Sequence, residues 1–314
     1  MTTNSPAEAV AVRTWARSFV ESSAEREPLA IVESIVSAVA AAIGRGPLHA
    51  PSSAAPATVD EPPGGWCNVW LPGIVHEQAV SAEARTARGA WYTPESVVRG
   101  LIDLATADRV VPELAADPTC GGGAFLVAAL DRLVDLGVGP AEAVGRVAGL
   151  DIDAGAAQVS RWSIGLWAAA NGVSVPEADI DVSVGDALSA YPSHWSSAAL
   201  LVGNPPFATP LRTGAVPADV AGFRVGREEL LGPYTDLAAM HLLGAVEKST
   251  AGSVVALVQP QSVLAGRDSQ PLREHCDAVA PIHGLWAARE PPFDAGVRAC
   301  AVVLKPGRPA PGEV

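Results

Sequence analysis

Ala199-Leu200-Leu201-Val202-Gly203-Asn204-Pro205-Pro206-Phe207 is the stretch on which the fold turns. Its first five residues form a short apolar run, the pattern of a buried strand. The two prolines end any ladder and fix the backbone just past the strand's carboxyl end. That end is where open α/β sheets bind ligands. Asn204 brings an amide, Pro205 a carbonyl with no competing N–H beside it, and Phe207 an aromatic face. Such a set suits gripping a flat base that carries an exocyclic amine. A strand followed by a proline turn, with Phe207 in the core, accounts for the tetrapeptide equally well.

On either side of this stretch, strand and helix signals alternate from Gly89 onward. Helices are expected over 94–107, 123–136, 154–171 and 235–248, with a shorter one before residue 282. Strands are expected over 110–115, 146–150, 180–184, 199–203, 253–258, 282–287 and 297–305. Strands alternating with helices of this length predict an α/β fold with a doubly wound, mostly parallel, seven-stranded sheet. Upstream, 7–22 and 28–44 read as amphipathic helices, with Trp15, Phe19, Ile31, Ile35 and Val39 at helical spacing. The division expected is a helical segment over 1–44, a Pro/Ala-rich linker and connecting segment over 45–88, the main domain over 89–305, and a tail over 306–314. Within the connecting segment, Trp66 and Trp70 mark packing onto something unspecified.

Three strand ends carry acids. Asp117-Pro118-Thr119-Cys120-Gly121-Gly122-Gly123-Ala124-Phe125-Leu126 joins the first strand to a helix. Its glycines let the backbone approach a ligand, and the helix N-terminus offers free N–H groups. A nicotinamide-binding turn has similar glycines, but Asp117 would favour a sulfonium or ammonium group there and repel a pyrophosphate. Asp151 closes the next strand and is placed to accept from ribose hydroxyls. Asp153 reads as the cap of the following helix. Asp186 follows the third strand and could accept from an adenine amino group. Each acid alone fits a cap or turn; three at successive strand ends point to a ligand. Upstream, Thr93 reads as an N-cap, with Pro94 at the first helical position.

In this order, Tyr92-Thr93-Pro94, Asp117-Pro118-x-Cys120-Gly121-x-Gly123-x-Phe125-Leu126, Asp151, Asp186 and Asn204-Pro205-Pro206-Phe207 resemble the S-adenosylmethionine-dependent N6-adenine DNA methyltransferases. The arrangement is similar to their gamma group, which includes type I modification subunits and fused restriction-modification enzymes. The resemblance runs over 89–305; Tyr234-Thr235-Asp236-Leu237-Ala238 and Val258-Gln259-Pro260-Gln261-Ser262 share it less specifically. It implies a Rossmann-like methyltransferase sheet with S-adenosyl-L-methionine as cofactor. The cofactor site would comprise Tyr92, Thr93, Pro94, Asp117, Pro118, Cys120, Gly121, Gly123, Phe125, Asp151, Ile152, Asp186, Ala187 and Asn204. Asn204, Pro205, Pro206 and Phe207 would form the catalytic set: Asn204 and the Pro205 carbonyl holding the target amine, Phe207 stacking on the base. Methylation of protein glutamine or RNA, a non-catalytic methyltransferase-like scaffold, and a dinucleotide oxidoreductase are the alternatives.

Composition sets bounds on this reading. At 314 residues, 49% of them hydrophobic, the chain is long enough to bury a large core. The longest apolar candidate for a membrane span, 29–43, carries Glu33. The first residues lack the layout of a signal peptide, and Cys67, Cys120, Cys276 and Cys300 lack metal-ligand spacing. A cytoplasmic, metal-free protein is the expectation. The net charge of −13 opposes phosphate binding by the surface as a whole. The family's large target-recognition domain has no expected counterpart in the sequence, which stops within ten residues of its last expected strand. DNA recognition is therefore expected from a specificity subunit or separate partner domain, with Arg212, Arg224, Arg227 and Arg298 adding phosphate contacts.

Overall fold

The computed structural model describes residues 6–44, 60–81, 93–197, 200–208, 218–288 and 298–307. Tyr92 and Arg212 lie outside these residues. The N-terminal helices are α1 (Pro6–Ser22), α2 (Pro28–Ala42) and α3 (Leu71–Ala79). The alternating part follows as α4 (Glu95–Ala105), β1 (Ala115–Asp117), α5 (Ala124–Asp135), α6 (Pro140–Val144), β2 (Val147–Asp151), α7 (Ala154–Ala170), β3 (Val182–Val184) and β4 (Leu200–Gly203). It continues with α8 (Ala218–Arg224), α9 (Leu237–Lys248), β5 (Val254–Pro260), α10 (Ser262–Ala265), α11 (Gln270–Val279), β6 (Ile282–Ala287) and β7 (Ala299–Leu304).

The seven strands lie in the order β3-β2-β1-β4-β5-β7-β6. β1 to β5 run parallel; β7 is antiparallel to both β5 and β6. The chain builds outward from β1 to β3, then returns to place β4 on the other side of β1. The carboxyl ends of β1 and β4 therefore meet at the topological switch point, where such sheets hold ligands.

Strand residues alternate between two cores. Val254, Ala256 and Val258 of β5 face one, with α4, α5 and α7; Val255 and Leu257 face the other, with α9 and α11. This period of two is what a sheet covered on both faces requires. The first core extends without a break into the N-terminal helices: Val12, Ile35, Leu71 and Val75 belong to the same cluster as Leu126, Trp162 and Leu166. Arg99 of α4 adds a polar fastening. It pairs with Glu95 at 2.7 Å and Asp131 of α5 at 2.8 Å, and lies 5.4 Å from the centre of the Trp70 ring.

Element boundaries differ from the sequence reading where proline or pairing intervenes. The first strand starts at Ala115 rather than residue 110, because Pro112 cannot donate to a ladder. β5 continues to Pro260 because β7 pairs with it there, Gln259 opposite Cys300 and Pro260 opposite Ala299. α3 is absent from the sequence reading. Pro72 and Gly73 within it weaken the helical pattern, yet Leu71, Ile74 and Val75 are buried against α1, α2 and α7.

The approach of α3 to the Gly-rich turn is close: a Cβ built on Gly122 would stand 2.6 Å from the Cα of Gly73. Backbone meets backbone there, so neither side can yield by a rotamer change. Gly122→Ala is expected to cost on the order of 1–3 kcal/mol, the usual range for overpacking. Denaturant titration of the variant against the wild type measures it, and an unchanged midpoint would refute this close packing.

Candidate active site

Asp117 ends β1 and is 1% exposed. Its Oδ1 accepts the Thr119 N–H at 2.9 Å. Burial pushes the carboxyl up to about 8, and the nearby Asp151 charge adds to the rise. Across the switch point stands Gly203. A Cβ there would overlap the Asp117 carboxylate and lie 3.0 Å from its Cγ, so only glycine fits at the end of β4.

The turn after Asp117 is fixed from two sides. Gly121 N–H donates to Asp151 Oδ2 at 2.8 Å, tying the turn to the end of β2. From α7, the Ser160 hydroxyl donates to the Gly121 carbonyl at 2.7 Å and Ser163 to the Gly122 carbonyl at 3.0 Å. Gly123 caps α5 with φ of 86°, a left-handed conformation that favours glycine. Cys120 is buried, and its thiol is raised well above the usual range, chiefly by that burial. Asp151 Oδ1 accepts the Asp153 N–H at 2.8 Å, and Asp153 caps α7 through Ala156 N–H, as its position predicts. Asp186 accepts from Leu188 N–H at 2.9 Å and from the Ser189 hydroxyl at 2.8 Å.

These groups line one cavity of about 710 Å³ at the carboxyl edge of the sheet. That volume lies in the range of small-molecule sites, roughly 300–1,000 Å³. Thr93, Asp117, Pro118, Cys120, Gly121, Gly123, Phe125, Asp151, Ile152, Asp186, Ala187, Asn204 and Pro206 all border it. Ile152 is 67% exposed, an apolar surface presented at the rim. Pro205 is buried beside the cavity, and Phe207 packs partly against the core. Pro94 occupies the N-cap position of α4, which starts at Glu95, so Thr93 does not cap that helix. Its hydroxyl instead accepts from Asn204 Nδ2 at 2.9 Å.

The sequence reading missed two parts of this site. One wall comes from the N-terminal layer, where Trp70, Gly73, His76 and Glu77 border the cavity. Trp70 was the visible signal; His76 and Glu77 gave none. The other part is the role of the Tyr234 to Ala238 stretch, noted in the sequence but given no task there, as the anchor behind Phe207. Leu237 N–H donates to the Ala208 carbonyl at 2.8 Å, and the Asp236 carboxylate accepts from the Ala208 N–H while capping α9. Burial pushes Asp236 up to about 6.

Two of the arginines expected at phosphates have other work. Arg224 donates to the carbonyls of Leu231 and Gly232 at 2.8 and 3.0 Å. Arg227 pairs with Glu247 at 2.8 Å and covers the Phe223 ring at 4.3 Å. Both fasten the segment before α9. Arg298 is exposed. Among the described residues, no group of three or more His, Cys, Asp or Glu could hold a metal ion. Among the described residues, no helix is long and apolar enough to cross a membrane.

The sheet order, the acids at three strand ends and the Gly-rich turn define a Rossmann-like methyltransferase fold. The chain belongs to the N-6 DNA methylase family, whose profile matches residues 73–275. Among solved structures, it is similar to the type IIL restriction-modification enzyme MmeI in complex with DNA, with 17% identity and a TM-score of 0.57 over 74% of this chain and 39% of that one. It is similar to the type I restriction-modification methyltransferase subunit of Streptococcus thermophilus, with 18% identity and a TM-score of 0.57 over 76% of this chain and 49% of that one. The type IIG restriction endonuclease BpuSI aligns with 15% identity and a TM-score of 0.60, over 97% of this chain and 40% of its own. The chain thus spans less than half the length of each of these three proteins. None of the curated proteins matches it.

The raised Asp117 carboxyl sets a pH dependence. Between its ordinary value of 3.8 and about 8, the folded chain keeps a proton that the unfolded chain has released. Stability is therefore greatest below that window on this account and declines as pH rises through it. Asp117→Asn should flatten the decline, read as unfolding midpoints across the window without cofactor. A slope equal to that of the wild type would exclude Asp117 as its source.

Proposed function

We propose that this chain transfers a methyl group from S-adenosyl-L-methionine to the N6 amine of an adenine in DNA, as the modification component of a restriction-modification system. The observation that carries the reading is Asn204, held through its amide nitrogen by Thr93 on the same sheet edge as the acid-lined, Gly-rich cavity. The donor set fits that cofactor. Asp117 suits a cationic sulfonium or ammonium group, and a cation beside it offsets the cost of its buried charge. Gly121, Gly123, Cys120, Pro118 and Phe125 shape the cradle for the methionine part, with Tyr92, Thr93 and Pro94 completing it. Asp151 suits the ribose hydroxyls. Asp186 and Ala187 suit the adenine edge, and Ile152 its face.

When bound, S-adenosyl-L-methionine supplies the methyl on a sulfonium whose C–S bond breaks with its electron pair passing to sulfur. The protein's task lies with the nucleophile, because the adenine amine's lone pair is delocalised into the ring. Asn204 Oδ1 and the Pro205 carbonyl accept its two hydrogens, which favours a pyramidal nitrogen with a localised lone pair. The same acceptors stabilise the positive charge on that nitrogen as the N–C bond forms. One amine proton then leaves to solvent, and no strong base is needed. Phe207 stacks on the base, which must be flipped out of a duplex to reach the site. Alignment within the cavity supplies further acceleration.

The net charge of −13 and the internally committed Arg224 and Arg227 support recognition of DNA through a specificity subunit or separate partner domain. In this reading the protein works in the cytoplasm. Residues 89–305 carry the methyltransferase domain, preceded by the helical segment 1–44 and the connecting segment 45–88.

Asn204→Ala should lower methyl transfer to adenine-containing DNA on the order of 10²–10³-fold while leaving affinity for S-adenosylhomocysteine nearly unchanged. Labelled-methyl transfer and calorimetry measure the two; unaltered transfer would refute the assignment. Asp151→Ala should do the reverse, weakening binding of S-adenosylhomocysteine first. Equal affinity in that variant would rule out the ribose role.

A further inference from the structure

We infer that Thr93 is a positioning residue whose hydroxyl sets which pole of the Asn204 amide faces the substrate amine; this rests on the methyl-transfer reading above. Thr93 and Asn204 lie 111 residues apart in sequence. In space the Asn204 Nδ2 donates to the Thr93 Oγ1 at 2.9 Å. The carbonyl oxygen and the NH₂ group of an amide diverge from one trigonal carbon, so they meet different neighbours. Tying the NH₂ group to Thr93 therefore turns the oxygen away from Thr93. A substrate amine has only hydrogens to offer as its lone pair is drawn into the new bond. The oxygen pole receives one of them; the NH₂ pole would oppose it.

The sequence makes this contact rigid. Thr93 precedes Pro94 and Asn204 precedes Pro205. A residue before proline is held in extended conformations, so both side chains leave from restricted backbone. Thr93 is β-branched, which narrows its rotamers further, and is 5% exposed, so water competes little for its hydroxyl. The local role open to a threonine here is capping α4. Pro94 takes that position instead, and no side-chain cap bond forms. The hydroxyl is thus available for Asn204, and Thr93 joins the segment that borders the cofactor cavity to the residue that meets the base.

The test uses the full chain with whatever DNA-recognition partner it requires. Thr93→Val keeps the shape and removes the hydroxyl. It should lower kcat for adenine methylation, measured at saturating S-adenosyl-L-methionine, on the order of 10- to 100-fold, with KM for DNA within about twofold. Thr93→Ser should recover most of the loss. Adding Thr93→Val to Asn204→Ala should cost almost nothing more, because the two act as one unit. Should Thr93→Val fold poorly, Thr93→Ala serves in its place, checked by its unfolding temperature. A wild-type chain that binds S-adenosylhomocysteine and methylates adenine, with full kcat in the folded Val or Ala variant, would overturn the inference alone. So would a Ser variant as slow as the Val variant, or additive losses in the double variant. A wild type with no methyl transfer to DNA would instead overturn the functional reading on which it rests.

Discussion

A carboxyl group is wedged between two strand ends, and the site is arranged around it. Asp117 is inside the fold, and the space for it exists only because Gly203 has no side chain. The parallel pairing of β1 with β4 brings the two strand ends together, and Asn204 follows Gly203 directly, beside this contact. Burial disfavours the charged form of Asp117, so the carboxyl keeps its proton up to about 8.

The N-terminal helices belong to this arrangement rather than standing beside it. They share a continuous apolar core with α5 and α7, and α3 meets the Gly-rich turn through two glycines. One wall of the cavity is therefore built by residues that precede the alternating part of the chain. Glu77 on that wall is in turn 3.5 Å from Arg13 of α1. Local order in the turn depends on packing that begins near the start of the sequence.

Much of this was legible in the residues. Asn204 to Phe207, the Asp117 to Leu126 turn and the alternation of apolar segments are local patterns, and local patterns carry strand ends and turns. Chain order then placed Asp151 and Asp186 on the same edge. What escaped was non-local. The partner of Thr93 is decided by tertiary folding, and its propensity to cap misled because Pro94 shifts the helix start by one residue. α3 escaped because Pro72 and Gly73 lower its helical propensity while burial of Leu71, Ile74 and Val75 offsets the loss. Arg224 and Arg227 looked like surface charge, and only the fold shows them bonded to the loop before α9 and to Glu247.

The burial that shapes the cradle also sorts the thiols by reactivity. Cys120 lies within the turn, yet its raised pKa and lack of exposure make it a small hydrocarbon in practice. Cys276 and Cys300 are buried with thiols pushed up to about 12. Cys67 is exposed, and its sulfur lies 3.6 Å from the Ala42 carbonyl at the end of α2. An electrophilic dye or spin label at neutral pH therefore has one accessible target, located on the N-terminal layer. The native sequence accordingly carries its own attachment point for a spectroscopic reporter of how that layer sits over the cavity.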